Sequence, residues 1–120
     1  MPDRPAPLGR LDSLLSASAI AHEAIFDMRH ELTSTGRCGA EPDELLRESA
    51  MIAATRLPDA TARARSLARR WGEQTVLDPD AAAATVHELA AELERIEPEI
   101  RRLIDRQRRI AARLHSMLGE

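Results

Sequence analysis

Four histidines (His22, His30, His87 and His115) and one cysteine (Cys38) are the side chains of this chain best suited to metal binding or nucleophilic chemistry. Their spacing argues against both. Di-metal sites in helical bundles take a Glu-x-x-His step on facing helices, and that step occurs nowhere here. His-Glu-x-x-His is also absent. His87 and His115 stand 28 residues apart on what reads as one helix, or about 42 Å. Both fall at outward positions, as does His30. His22 alone borders an apolar stripe, where it reads as a half-buried packing residue. Cys38 lies in a loop, Gly36-Arg37-Cys38-Gly39. Arg37 beside it would favour the reactive thiolate, but no histidine is near in sequence to serve as base. No catalytic residue, metal ligand or cofactor site is assigned, and no cofactor is expected.

The arginines are the next candidates. All seventeen basic residues are arginine. Arg56, Arg63, Arg65, Arg69 and Arg70 are opposed only by Asp59, and six more arginines lie between residues 101 and 113. A surface containing Arg63, Arg69, Arg70, Arg102 and Arg109 could bind anions. Nucleic acid is disfavoured as its ligand. The chain carries a net charge of −3, only 2% of its residues are aromatic and available for base stacking, and no helix-turn-helix glycine turn is present. The simpler expectation is that these arginines meet the acidic half of a long neighbouring helix.

That helix spans residues 78–118. Val86, Leu89, Leu93, Ile96, Ile100, Leu103, Gln107, Ile110, Leu114 and Met117 recur at alternating steps of three and four, which keeps them on one face. Asp78 can cap the first free amides, Pro79 suits the first helical position, and Gly119 can end it. The e positions Ala90, Ile104, Ala111 and Leu118 widen the stripe beyond a narrow a/d seam, so a bundle of three or four helices is expected rather than a two-stranded zipper. Charge is divided along the axis. Residues 78–99 hold seven acids and one base, and residues 100–120 hold six bases and two acids. An antiparallel partner would place unlike halves side by side. Pro98 falls at an outward position without disturbing the heptad phase, and a kinked but continuous helix is expected.

Elsewhere, residues 1–10 hold three prolines and a glycine and read as a mobile arm. The first helix is expected from Asp12, with Leu11, Leu14, Ser18, Ala21, Ile25, Met28 and Leu32 as its stripe. Residues 33–40 read as a loop. A second helix runs from Pro42 until Pro58 ends it, a third from Ala60 to Trp71 with Gly72 closing it, and residues 73–77 connect it onward. No internal repeat or strand-period segment occurs. The chain is 43% hydrophobic and 31% charged, a globular composition. No stretch approaches the eighteen apolar residues that cross a bilayer. Residues 10–21 make a poor secretory core because Asp12 and three serines interrupt it, and a cytoplasmic setting is the default expectation.

Two partial resemblances carry no function over. Trp71 and Gly72 are adjacent, not spaced as in the Trp-x-Gly hairpins of small secreted proteins. The run IRRLIDRQ over residues 100–107 resembles the first helix of all-helical chorismate mutases but sits at the opposite end of the chain. The expected fold is therefore all-α, an antiparallel bundle of three shorter helices and one long C-terminal helix, in a single domain over residues 11–120. The expected role is a non-enzymatic protein–protein interaction module, a regulator or assembly factor. It would self-associate as an antiparallel homodimer through Leu89, Leu93, Ile96, Ile100, Leu103, Ile104, Gln107, Ile110 and Leu114. A nucleic-acid-associated regulator and a ligand-binding or catalytic bundle are the alternatives.

Overall fold

A forty-residue helix runs the length of the molecule. At 1.5 Å per residue it spans about 60 Å, which matches the longest dimension of the chain, 57 Å. The structure is a computed structural model and describes residues 4–37 and 39–119. All regular structure among these residues is helical: α1 (Ala6–Ser34), α2 (Ala40–Met51), α3 (Leu57–Leu77) and α4 (Pro79–Leu118). Residues Ile52–Arg56 form a π-helical turn between α2 and α3, so the chain is helical without interruption from Ala40 to Leu77. No described helix is long and apolar enough to cross a membrane.

Both ends of α4 have chemical causes. Asp78 accepts a hydrogen bond from the amide of Ala81 at 3.1 Å, satisfying one of the orphan donors of the first turn. At the other end, the guanidinium of Arg37 donates to the carbonyls of Met117 and Leu118, both at 2.7 Å. A cation there also meets the negative end of the helix dipole. Arg37 is delivered by the turn that closes α1. Gly36 takes a left-handed φ of 69°, and the amides of Gly36 and Arg37 return to the carbonyls of Thr33 and Leu32. This is a Schellman closure, with glycine where a side chain would be strained. Pro98 stands inside α4 on its solvent side, and the helix continues through it.

The ion pairs fix the direction of every helix. Glu41 and Glu48 of α2 meet Arg113 and Arg106 of α4, while Arg63 and Arg70 of α3 meet Glu92 and Glu88. As the number rises on α2 and α3 it falls on α4, so the two run in opposite directions. Arg10 pairs with Glu97 and Ser18 bonds Gln107, so α1 runs in the same direction as α4. The charge division of α4 thus finds its unlike partner inside the chain. Its basic half lies against the acidic α2, and its acidic half against the arginines of α3. The core is aliphatic, built from Leu8, Leu11, Leu14, Ile25 and Leu32 of α1, Ile52, Leu57, Ala64 and Leu67 of the second rod, and the α4 stripe.

Three expectations need correction. Residues 6–10 are helical, and Leu8 is fully buried. Pro7 lies in the first turn, where its missing amide has no intrahelical partner to lose. Pro58 does not end a helix. It follows the π-turn, in which the amide of Leu57 bonds the carbonyl of Ile52, five residues back. The buried residues Ser49, Ile52, Leu57 and Thr61 explain the turn. Steps of three and four give way to a step of five between Ile52 and Leu57, and one extra residue in the turn keeps both on the inner face. Finally, Gly72 closes nothing, and α3 continues through residues 73–77 to Leu77.

Candidate functional site

The nine seam residues of α4 lie together, and all are inside this one chain. Leu89, Leu93, Ile100, Gln107, Ile110 and Leu114 are fully buried, and Ile96, Leu103 and Ile104 nearly so. The stripe is wide because it serves two neighbours, α1 on one flank and α3 on the other. Gln107 is the polar member. Its side-chain oxygen accepts a hydrogen bond from the Ser18 hydroxyl at 2.9 Å, while its amide nitrogen has no partner. The pair ties α1 to α4 at one level and so opposes slippage between them.

The five arginines named as an anion surface are not brought together. Arg63 lies 3.5 Å from the buried carboxylate of Glu92, which also pairs with Arg95, and Arg70 lies 3.8 Å from Glu88. Arg102 borders a groove with Arg56, Arg95, Asp59 and Glu99. Arg109 stands seventeen residues along α4 from Glu92, about 25 Å away. Arg69 projects from α3 into solvent. Two of the five, Arg63 and Arg70, answer acids of the same chain.

Glu48 shows what such pairing does to acid sensitivity. Its carboxyl is held below the ordinary 4.5, chiefly by the hydrogen bonds from Arg106. Burial opposes this shift, and the positive charges of Arg106, Arg56 and Arg109 add to it. A carboxyl with a depressed folded-state pKa stabilises the fold above its unfolded value and loses that contribution as pH falls through the folded one. The urea midpoint of Glu48→Gln should therefore lie below that of the parent near neutrality. The two midpoints should converge on acidification from about pH 6 to about pH 3. A constant gap across that range would contradict the assignment.

The histidines do not converge. His30, His87 and His115 are exposed on α1 and at opposite ends of α4. Among the described residues no group of three His, Cys, Asp or Glu side chains is placed to hold a metal ion. Cys38 lies outside the described residues. His22 is half-buried, and its Nδ1 has no hydrogen-bond partner.

Among the described residues the most exposed large apolar side chains lie at the end where α3 turns into α4. Arg10 of α1 is level with Glu97, so the first turns of α4 and the last turns of α3 extend beyond α1. They stand there as a two-helix hairpin. A cavity of about 580 Å³ opens on one side of it, lined by Pro5, Trp71, Thr75, Pro79, Ala82, Ala83, Val86 and His87. The Arg4 guanidinium sits 6.0 Å from the centroid of Trp71. Inside the hairpin, the Thr85 hydroxyl donates to the side-chain oxygen of Gln74 at 2.6 Å. At the turn, Val76 is 87% exposed and Leu77 85%. The sequence carried a signal for this end, two aliphatic residues just before Asp78-Pro79, but their number was too small to assign a face. No protein family, curated protein or solved structure matches this chain.

Proposed function

We propose that the chain is an antiparallel helical bundle acting as a non-enzymatic interaction module, and that it pairs with a second copy of itself through the end of the α3–α4 hairpin. The observation that carries this reading is the near-complete exposure of Val76 and Leu77 at the hairpin turn, next in sequence to Thr75 and close to Pro79 of the cavity lining. Among the described residues they are the two most exposed large apolar side chains, and they are consecutive in the chain. The seam of α4 is already covered by α1 and α3, so the association surface moves from the middle of α4 to its start. Charge supports a second copy as the occupant. The turn carries Glu73, Asp78 and Asp80, with Arg69, which enters no ion pair among the described residues, one to two turns below on α3. Two hairpin ends overlapping in opposite directions set the acids of one against Arg69 of the other. The scattered histidines and intrachain-paired arginines support the non-enzymatic part of the reading.

Absolute mass by light scattering across protein concentration tests the proposal. The parent should rise from the monomer mass of 13.3 kDa towards twice that value. The double variant Val76→Glu/Leu77→Glu should stay monomeric with unchanged helicity and, at concentrations where the parent is also monomeric, an unchanged thermal midpoint, because neither side chain is in the core. A parent that remains monomeric at several hundred micromolar, or a variant that dimerises as the parent does, would overturn it.

A further inference from the structure

We infer that α2 is a releasable strap: it opens as a unit while α1, α3 and α4 stay packed, and it uncovers a groove between α1 and α4 that takes an acidic amphipathic helix of a partner. The opening follows from how little of α2 reaches the core. Ser49 is the one side chain of α2 that is fully buried, and it is small and polar. Leu45 and Leu46 touch the core but stay half-buried. By contrast α3 buries Leu57, Thr61, Ala64 and Leu67, and α1 buries seven side chains. A segment with few buried apolar contacts lies at the low end of local stability. The Ser49 hydroxyl has no hydrogen-bond partner, which weakens the closed state further. Both ends of α2 are places where the rod can part. The left-handed turn at Gly36 precedes it, and the π-turn follows it. Ile52, fully buried in that π-turn, anchors the rod beyond the strap.

What remains has its own fastenings. Arg37 ties the end of α1 to the last carbonyls of α4, and Ser18 bonds Gln107. Arg63 and Arg70 hold α3 to Glu92 and Glu88, nearer the start of α4. These bonds do not involve α2. Charge holds α2 in its place. Glu41 and Glu48, seven residues apart, meet Arg113 and Arg106, also seven apart and in reverse order. Such pairs at the surface are weak and screened by salt. Ile110 lies buried between the two arginines on α4. Leu32 of α1 and Met117 of α4 line one cavity with Glu41 and Pro42 of α2. Release of α2 therefore uncovers an apolar face on α1 and α4, edged by Arg106 and Arg113. The occupant that fits is a helix with carboxylates seven residues apart beside an apolar stripe. One with an apolar side chain where α2 has Ser49 fills the groove without an unpaired hydroxyl. The strap lies at the far end of α4 from the hairpin turn, so the inference does not rest on self-association.

The test uses the full chain, isotopically labelled, at a concentration that keeps it monomeric. Amide hydrogen exchange is followed across a urea series. Leu45 to Met51 should open together, with protection about a hundredfold below that of Ile96 to Ile110 and little dependence on urea. Amides of α2 with the protection and urea slope of α4 would overturn the inference. So would Ile25 of α1 and Ile110 of α4 opening together with α2. This measurement needs no variant. The groove is then tested with a synthetic peptide of residues 40–53 carrying Ser49→Leu. The peptide should bind saturably and shift the amides of Ile110 and Leu114. Glu41→Gln/Glu48→Gln in the chain loosens the strap and should tighten the peptide roughly tenfold, because the open state is more populated. The same peptide with Glu41→Lys and Glu48→Lys should not bind. No saturable binding to the loosened chain up to about 1 mM, equal affinity for the parent and loosened chains, or equal binding of the lysine peptide would overturn the assignment of the groove.

Discussion

Leu8→Ala is expected to lower the stability of the fold by about 3 kcal/mol, the cost of removing a fully buried leucine side chain and leaving a cavity. Leu8 lies one turn into α1 and has no exposed surface. It belongs to the core cluster that also holds Leu89 and Leu93 of α4. The effect should appear as a fall in the urea midpoint with little change in slope, because the surface exposed on unfolding stays the same. Leu77→Ala, measured at a protein concentration low enough to keep the chain monomeric, is the internal control. Leu77 is 85% exposed, and its loss should stay within about 0.5 kcal/mol. If residues 1–10 were an arm without contacts, both substitutions would be silent. A Leu8→Ala midpoint equal to that of Leu77→Ala would remove the first turns of α1 from the core.

The all-helical class was legible in the sequence because composition and period agreed. The start of α4 was legible because Asp78, Pro79 and Asp80 act locally. The inner face of α4 was legible from Leu89 to Met117, Gln107 included, whereas nearer its start Val86 is only half-buried and Ala82, Thr85 and Glu92 are buried without having been part of the stripe. What it packs against was not. Complementary charge on a helix says that an antiparallel partner fits, but the same Coulomb term operates whether that partner is a second copy or the α2–α3 rod of the same chain. The decision lay in the second rod, whose continuity was hidden by Pro58 and by the step of five from Ile52 to Leu57. With α2 and α3 read as separate short helices, nothing in the chain was long enough to cover α4. The first turn of α1 was missed for a related reason. Pro7 reads as a breaker in a proline-rich stretch, but proline breaks a helix only where an amide is needed.

Pro98→Ala is expected to raise stability by about 2–3 kcal/mol, the usual difference between proline and alanine inside a helix. For a chain of this size that is a rise of roughly 10 °C in thermal midpoint. Pro98 stands exposed in the middle of α4, where it removes one hydrogen bond and presses on the carbonyl four residues back. Alanine restores the bond and disturbs no core contact. Pro58→Ala should behave differently, changing stability by less than about 1 kcal/mol. The π-turn before Pro58 already bonds the Leu57 amide to Ile52, and the widened turn gives the proline ring room. An alanine there gains little by relaxing the turn to regular helix. That change would rotate Leu57 and Thr61 away from α4 by about 100° relative to Ile52, and both are buried. The two prolines thus separate two ways of carrying an imino acid in a long helix. At residue 98 the helix bears the cost directly, and at residue 58 the backbone has been lengthened by one residue to avoid it. Equal gains from both substitutions would show that the π-turn is incidental and that α2 and α3 are two helices meeting at a proline.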